Sequence, residues 1–277
     1  MLWLFQYVLL NLPSRHDFMN LITKKTLHAF SSILIAVGTL LLLFNVIGFF
    51  HYETVEIDDP HLLDHSPTTV PEELFWDNAY RRINEPIDAY LQRLTELISR
   101  RMLLIDPQYT KPTIFENWIL WIYSKMIGYY EWSDTKRAVR LGGGYCSQHA
   151  IVLNNILREQ DIPSRIIKLG GHVLNEVLIN GAWKVYDSDY NVIFNASLKE
   201  LENDSVRVYE AYLGAGRPED EAKQWQKVFA TDADNWHYKK TRAYREEKYY
   251  IEVAALYLIW IIPLILMFTG LVMRKRT

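Results

Sequence analysis

The sequence predicts an α+β domain, with helices packed on an antiparallel sheet, flanked by two transmembrane helices. Three observations carry this expectation. Ala29 to Phe50 and Val253 to Met273 are uncharged apolar runs of 22 and 21 residues near the two ends. A helical pattern starts at Cys146, with apolar residues at 150, 153, 156 and 157. Residues 172–187 read as a β-hairpin closed by Asn180-Gly181, the dipeptide that favours a two-residue type I′ turn.

Along the chain, residues 1–28 form a cytoplasmic N-terminal segment. Met1 to Leu12 is apolar but lacks the basic start and small-residue cleavage site of a signal peptide. It suits an interfacial helix with Trp3, Phe5 and Tyr7 at headgroup level, and contact with another membrane protein is the competing reading. The first span, 29–50, is about 33 Å long as a helix, enough to cross a bilayer. Residues 51–73 read as a polar linker with Pro60, Pro67 and Pro71. His61 and His65 stand four apart within it, but no third ligand accompanies them, so no metal is expected. Residues 74–248 form the folded domain. Helices are expected over 74–105, bent or restarted at Pro86, and over 113–131. The second carries an aromatic stripe (Phe115, Trp118, Trp121, Tyr130) expected to pack on the helix at Cys146. Ser164–Leu169 reads as a strand, 189–210 as mixed short strands and turns, and 218–229 as a helix. Trp236 to Glu252 carries helix formers that could run unbroken into the second span, 253–273, where Pro263 suggests a kink. A four-residue tail, 274–277, ends the chain.

Charge sets the expected topology. Arg15, Lys24 and Lys25 precede the first span, and Arg274, Lys275 and Arg276 follow the second, whereas Glu53, Glu56, Asp58 and Asp59 lie just past the first. The positive-inside rule puts both termini in the cytoplasm and residues 51–248 outside it, in an integral protein of the cell (inner) membrane. That outer stretch holds 24 Lys or Arg against 31 Asp or Glu, which argues against a nucleic-acid partner. Gly142-Gly143-Gly144 lacks the Lys-Ser/Thr of a nucleotide-binding loop, and no cofactor is expected. Asn195-Ala196-Ser197 and Asn203-Asp204-Ser205 are sequons of the short kind that chance supplies.

Cys146 is the single cysteine of 277 residues, so an internal disulfide is excluded. A thiol at a helix start meets unpaired backbone N–H groups and the positive end of the dipole, which favour the thiolate. The alternative is a buried spectator packed as a small hydrophobe. His172 opens the hairpin and Asp187 closes it, so the two reach the same end. A cysteine nucleophile needs an imidazole to take its proton, and the imidazole needs an acceptor to orient it. Cys146, His172 and Asp187 are therefore the candidate catalytic residues. Taken singly, His172 could be an exposed strand-end histidine and Asp187 a turn former in Asp187-Ser188-Asp189. His149, one turn along the helix, is the competing base.

Around these residues the chain resembles the transglutaminase-like superfamily, which is related in architecture to papain. The resemblance rests on Gly144-Tyr145-Cys146 with Ala150, and on Leu157-Arg158-Glu159-Gln160-Asp161-Ile162-Pro163-Ser164-Arg165. It rests also on His172-Val173-Leu174-Asn175-Glu176-Val177, and on Trp183 with Asp187. It covers roughly residues 140–200 and implies that Cys146 is nucleophile, His172 base and Asp187 third member. Asp161 replaces the usual glycine, which an aspartate tolerates in a left-handed cap. Leu174 replaces the usual tryptophan and puts an aromatic wall in doubt. The interval between Cys146 and His172 leaves room for one strand, so an open cleft is expected. The function expected is an acyl-transfer enzyme, acting outside the membrane on an amide through a cysteine thioester. Its substrate would be a protein, a peptide or an envelope polymer. The alternative is a non-catalytic module that binds a protein or polymer at the membrane. A transporter is disfavoured, because the two spans carry no intramembrane charge.

Overall fold

The computed structural model describes residues 15–51, 53–63, 69–230, 235–237 and 246–275. The interfacial helix expected at Met1–Leu12 and the histidine at position 65 lie outside the described residues. The chain divides into two compact units. One contains residues 1–51, 113–119 and 254–277, the other residues 52–112 and 120–253.

Two helices are long and apolar enough to cross a membrane. They lie within α1, Arg15–Phe50, and a C-terminal helix, Glu246–Lys275. Only 17% and 22% of their apolar windows are buried, far less than in the core helix of a soluble protein. In the first unit these helices approach closely. A Cβ added to Gly270 would lie 2.7 Å from the Ser31 carbonyl oxygen, so only glycine permits that spacing. Pro263 stays inside its helix. Proline has no N–H, so the carbonyl four residues earlier, that of Ile259, loses its helical donor. The Asn45 side-chain amide donates to that oxygen at 2.6 Å, from a position 3% exposed. An amide in an apolar run is thereby matched to the one acceptor the proline frees.

The second unit is built on a five-stranded antiparallel sheet. Its preceding elements are α2, Glu72–Asn78, α3, Ile87–Arg101, and β1, Leu103–Leu104. α4, Ile114–Ile127, α5, Thr135–Leu141, and β2, Gly143–Gly144, lead to α6, Cys146–Glu159. Then come β3, Ser164–Lys168, β4, Val173–Ile179, β5, Ala182–Asp187, and β6, Val192–Phe194. Helices α7, Leu198–Leu201, α8, Ser205–Gly214, and α9, Glu219–Val228, precede β7, Trp236–His237; the C-terminal helix, Glu246–Lys275, is α10 and belongs to the first unit from residue 254 on. The sheet order is β6-β5-β4-β3-β7, and β1 pairs with β2 in a separate parallel pair.

Alternation along the strands separates the two faces. Ile167, Leu174, Val185 and Phe194 point to one side, into a core closed by Leu198, Val208, Tyr212, Trp225 and Phe229 of α7–α9 and the turn after α9. Ile166 and Val173 point to the other, where they meet Cys146, Ala150 and Ile151 of α6. Polar ties fix α6 to the sheet. Asn175 Nδ2 donates to the Ala150 carbonyl at 3.0 Å, and Ser164 Oγ donates to Asn154 Oδ1 at 2.9 Å. Asp161 ends the helix with φ of 56°, the left-handed conformation expected of it.

Several expectations need correction. The restart expected at Pro86 is present, with α2 ending at Asn78 and α3 beginning at Ile87, but residues 103–104 form β1 where helix was expected. The 51–73 segment is not a free linker. Val55 N–H bonds the Leu141 carbonyl, Leu62 bridges Ile105, and Val70 is buried. The aromatic stripe is only partly core: Tyr130, past the end of α4, is buried, while Phe115, Ile122 and Met126 are exposed. Within 189–210, where short strands and turns were expected, residues 198–201 and 205–210 are helical. Ser197 forms a capping box with Glu200, and Asp204 caps α8 through the Arg207 N–H. The two sequons therefore end in helix-capping segments. Residues 236–237 pair with β3 instead of continuing a helix.

If the amide of Asn45 serves the proline gap, Asn45→Ala should destabilise the helix pair by about 0.5–2 kcal/mol. Pro263→Ala restores the missing donor, so the double variant should recover part of the loss. A thermal-unfolding cycle on the purified chain in detergent measures both.

Candidate active site

The turn sets the geometry of the site. Asn180 and Gly181 both have positive φ, 51° and 81°, as a type I′ turn requires. The register that follows pairs Asn175 with Tyr186. Position 187 therefore falls opposite 174, and His172 is its diagonal neighbour on the same face. Diagonal neighbours are within reach of long side chains. His172 Nε2 and Asp187 Oδ2 are 2.8 Å apart. The near-symmetric pairing expected from the residue count is thus a diagonal one.

Cys146 is the first residue of α6, as the sequence pattern placed it. What puts it there is a set of ties upstream. Gly142 takes the left-handed conformation, φ 75°, that ends α5. Arg101 is buried and its guanidinium donates to the carbonyls of Val139, Arg140 and Val70, at 2.7, 2.8 and 3.3 Å. Burial lowers its pKa from the ordinary value, and it covers the exposed carbonyl end of α5. Two residues past the thiol, Gln148 accepts from the Trp132 N–H and donates to the Trp132 carbonyl. The first turn of α6 is therefore clamped on both sides.

The Cys146 thiol is among the groups that favour the charged form of the His172 imidazole. With Nε2 facing Asp187, Nδ1 is the nitrogen left to serve it. Cys146, His172 and Asp187 are 5%, 2% and 0% exposed. The short loops predicted an open cleft, whereas these three side chains are covered.

Burial is the largest single influence on His172 and opposes its charge. The Asp187 charge and hydrogen bond, with the contribution of Cys146, outweigh it and hold the imidazole pKa well above 6.5. Burial likewise opposes the charge on Asp187. The His172 charge and hydrogen bond, the Tyr212 hydroxyl and the Asp189 N–H outweigh it and hold the carboxyl below 3.8. Tyr212 donates to Asp187 Oδ2 at 2.5 Å, and the N–H groups of Asp189 and Tyr190 reach Oδ1 at 3.1 and 3.4 Å. The carboxylate is thus saturated with donors, which is what a buried charge requires. An imidazolium so held is a general acid, and after giving up its proton, a general base.

His149 has different partners. Its ring nitrogens face the carbonyls of Tyr145 and Met102, and Asp189 Oδ1 is 3.6 Å from Nε2. It ties α6 to the strand β1 region and does not address the thiol. Asn175, Glu176 and Trp183 of the motif are structural as well. Glu176 pairs with Arg165 and accepts from the Leu198 N–H, while the Arg165 guanidinium stacks on Trp183 at 4.1 Å. Two residues escaped the sequence reading. Tyr212 was hidden because α8 was not anticipated. Trp225, on an anticipated helix, lies 4.4 Å from the His172 ring and provides the aromatic cover that Leu174 cannot. His61 stacks on Tyr109, and the described residues contain no group of three or more His, Cys, Asp or Glu suited to a metal.

No protein-family model matches this chain, no curated protein matches it, and no solved structure matches it.

The linkage has a definite sign. The raised imidazole pKa contributes stability that is complete below pH 6.5 and is lost as pH rises through the folded value. The lowered carboxyl pKa contributes stability that is complete above pH 3.8 and is lost as pH falls through the folded value. The pair therefore contributes fully between those limits. In Asp187→Asn, burial is left to dominate, and the His172 pKa should fall below 6.5 in an NMR titration. Tyr212→Phe should cost about 1–3 kcal/mol near neutral pH. It should also move the acid edge of the thermal-stability profile upward, because Asp187 loses a donor that favours its charge.

Proposed function

We propose that this chain is a membrane-anchored cysteine acyl-transfer enzyme of the transglutaminase-like type. One observation carries the proposal: a buried imidazole bound to a buried carboxylate through Nε2, with the buried thiol at the start of α6 among the groups that favour its charge. A scaffold gains nothing from burying that set. The motifs at 144–146, 157–165, 172–177 and 183–187 support the family.

The Cys146 sulfur would attack the carbonyl carbon of an amide while His172 holds the thiol's proton as imidazolium. The Cys146 N–H, at a helix start where backbone donors have no intrahelical partner, would hold the oxyanion. Collapse of the tetrahedral adduct breaks the C–N bond, and His172 returns the proton to the leaving amine, giving a thioester. Water completes hydrolysis, while an amine or hydroxyl completes transfer. Asp187 would orient the ring and stabilise the imidazolium, with Tyr212 and Trp225 fixing Asp187 and the ring in place. The substrate would be a protein, a peptide or an envelope polymer.

The two apolar helices support anchoring, and the flanking charges support a domain outside the cytoplasm in an inner membrane. Reporter fusions after Glu73 and after Thr277 should read opposite sides. The same side for both would refute the two-span topology.

Cys146→Ala should abolish activity in cells while the protein still inserts and folds. The thiol is a small side chain at a helix end, so its loss should cost at most about 1 kcal/mol. Full biological activity in that variant would refute the enzymatic reading.

A further inference from the structure

The strand that carries Asp187 presents a different surface on its other side. Tyr186 points away from the core, and its neighbours Lys184, Ile193 and Asn195 share that face by alternation. With Asp88, Gln92 and Glu96 of α3, spaced four apart along one line of the helix, and with Asn191, they line a groove of about 620 Å³. That volume lies within the usual range for ligand sites. Its lining does not: the usual site is mostly apolar, and Ile193 is the one aliphatic residue here.

Tyr186 is the informative member. It is 1% exposed overall, and its hydroxyl, which bonds no described residue and is not a solvent-shielded orphan, opens onto the groove it lines. Here the hydroxyl faces the groove, and burial with the nearby Asp88 charge raises its pKa, so it keeps its proton as a donor. The side chains of Gln92, Asn191 and Asn195 likewise make no hydrogen bond to the described residues, and each offers a donor and an acceptor. The charges, by contrast, are committed. Lys184 Nζ bonds Asp88 Oδ1 at 2.9 Å, and Glu96 pairs with Arg100.

We propose that this groove binds a saccharide chain. Three uncommitted amides and a buried phenol match a ligand whose neighbouring hydroxyls both donate and accept. A peptide fits less well, because it draws specificity from apolar pockets and from strand edges. The backbone of β5 is already paired on both sides, by β4 and β6. An anion would meet Asp88 and Glu96, and an amine would find both carboxylates paired. The inference goes beyond the catalytic reading and does not depend on it, because the groove lies on the sheet face opposite Asp187.

The test uses the full chain carrying Cys146→Ala, reconstituted in nanodiscs so that no sugar-headed detergent competes. Chitohexaose, cellohexaose and an uncharged Gly/Ser hexapeptide are titrated by calorimetry. At least one hexasaccharide should saturate below about 10 mM, and the peptide should not. Tyr186→Phe and, separately, the surface change Gln92→Ala should each weaken binding by about three- to tenfold. Failure of both hexasaccharides to bind overturns the proposal. So does binding that is unchanged in both variants, or peptide binding that the two variants weaken.

Discussion

The site depends on one buried contact, the 2.8 Å bond between His172 and Asp187. Burying a charged pair is expensive, and it persists only where geometry and surrounding donors compensate for the lost water. The compensation comes from separate parts of the second unit. The hairpin turn fixes the diagonal register. The loop after β5 gives two backbone N–H groups, α8 gives the Tyr212 hydroxyl, and α9 lays Trp225 over the imidazole. Shifting the hairpin by one residue would turn either partner to the opposite face and leave a buried charge unmatched. The register of one turn therefore governs both the core and the candidate chemistry.

Much of this was legible because local rules set it. Asn-Gly in a short hairpin has few alternatives, so the strands and their common end followed from the dipeptide. A helix beginning at Cys146 followed from apolar spacing, and the uncharged runs announced the two end helices. The residues that complete the site were less visible. Tyr212 lies on a helix whose start depends on Asp204 capping and on packing against Phe194 and Phe229, contacts distant in sequence. Residues 189–210 read locally as short strands and turns, and only the caps at Ser197 and Asp204 turn much of that stretch into helix. Trp225 sat on an anticipated helix, but nothing local tells which way a tryptophan faces. The exposure of Ile122 and Met126 was hidden for the same reason: a helix apolar on several sides does not declare its buried face.

The two faces of β5 divide the work. Odd positions, Val185 and Asp187, enter the core, where burial makes an ion pair strong and water scarce. Even positions, Lys184 and Tyr186, line a polar groove, where Lys184 pairs with Asp88. A period of two thus puts a candidate reaction centre and a candidate recognition surface on adjacent residues of one strand. For an enzyme acting on an envelope polymer, such a division would separate holding the chain from cutting or joining it.

The proposed chemistry stands on the thiol of Cys146 being activated by His172. The most direct measurement is the rate at which iodoacetamide alkylates Cys146 at neutral pH, followed by intact-mass spectrometry on the full chain in nanodiscs. With one cysteine in the sequence, each modification event is assigned without ambiguity. That activation predicts that His172→Ala slows alkylation by an order of magnitude or more, because the thiol loses its proton acceptor. It predicts that His149→Ala, whose ring faces backbone carbonyls, has no comparable effect. Equal rates in the parent chain and in His172→Ala would contradict it.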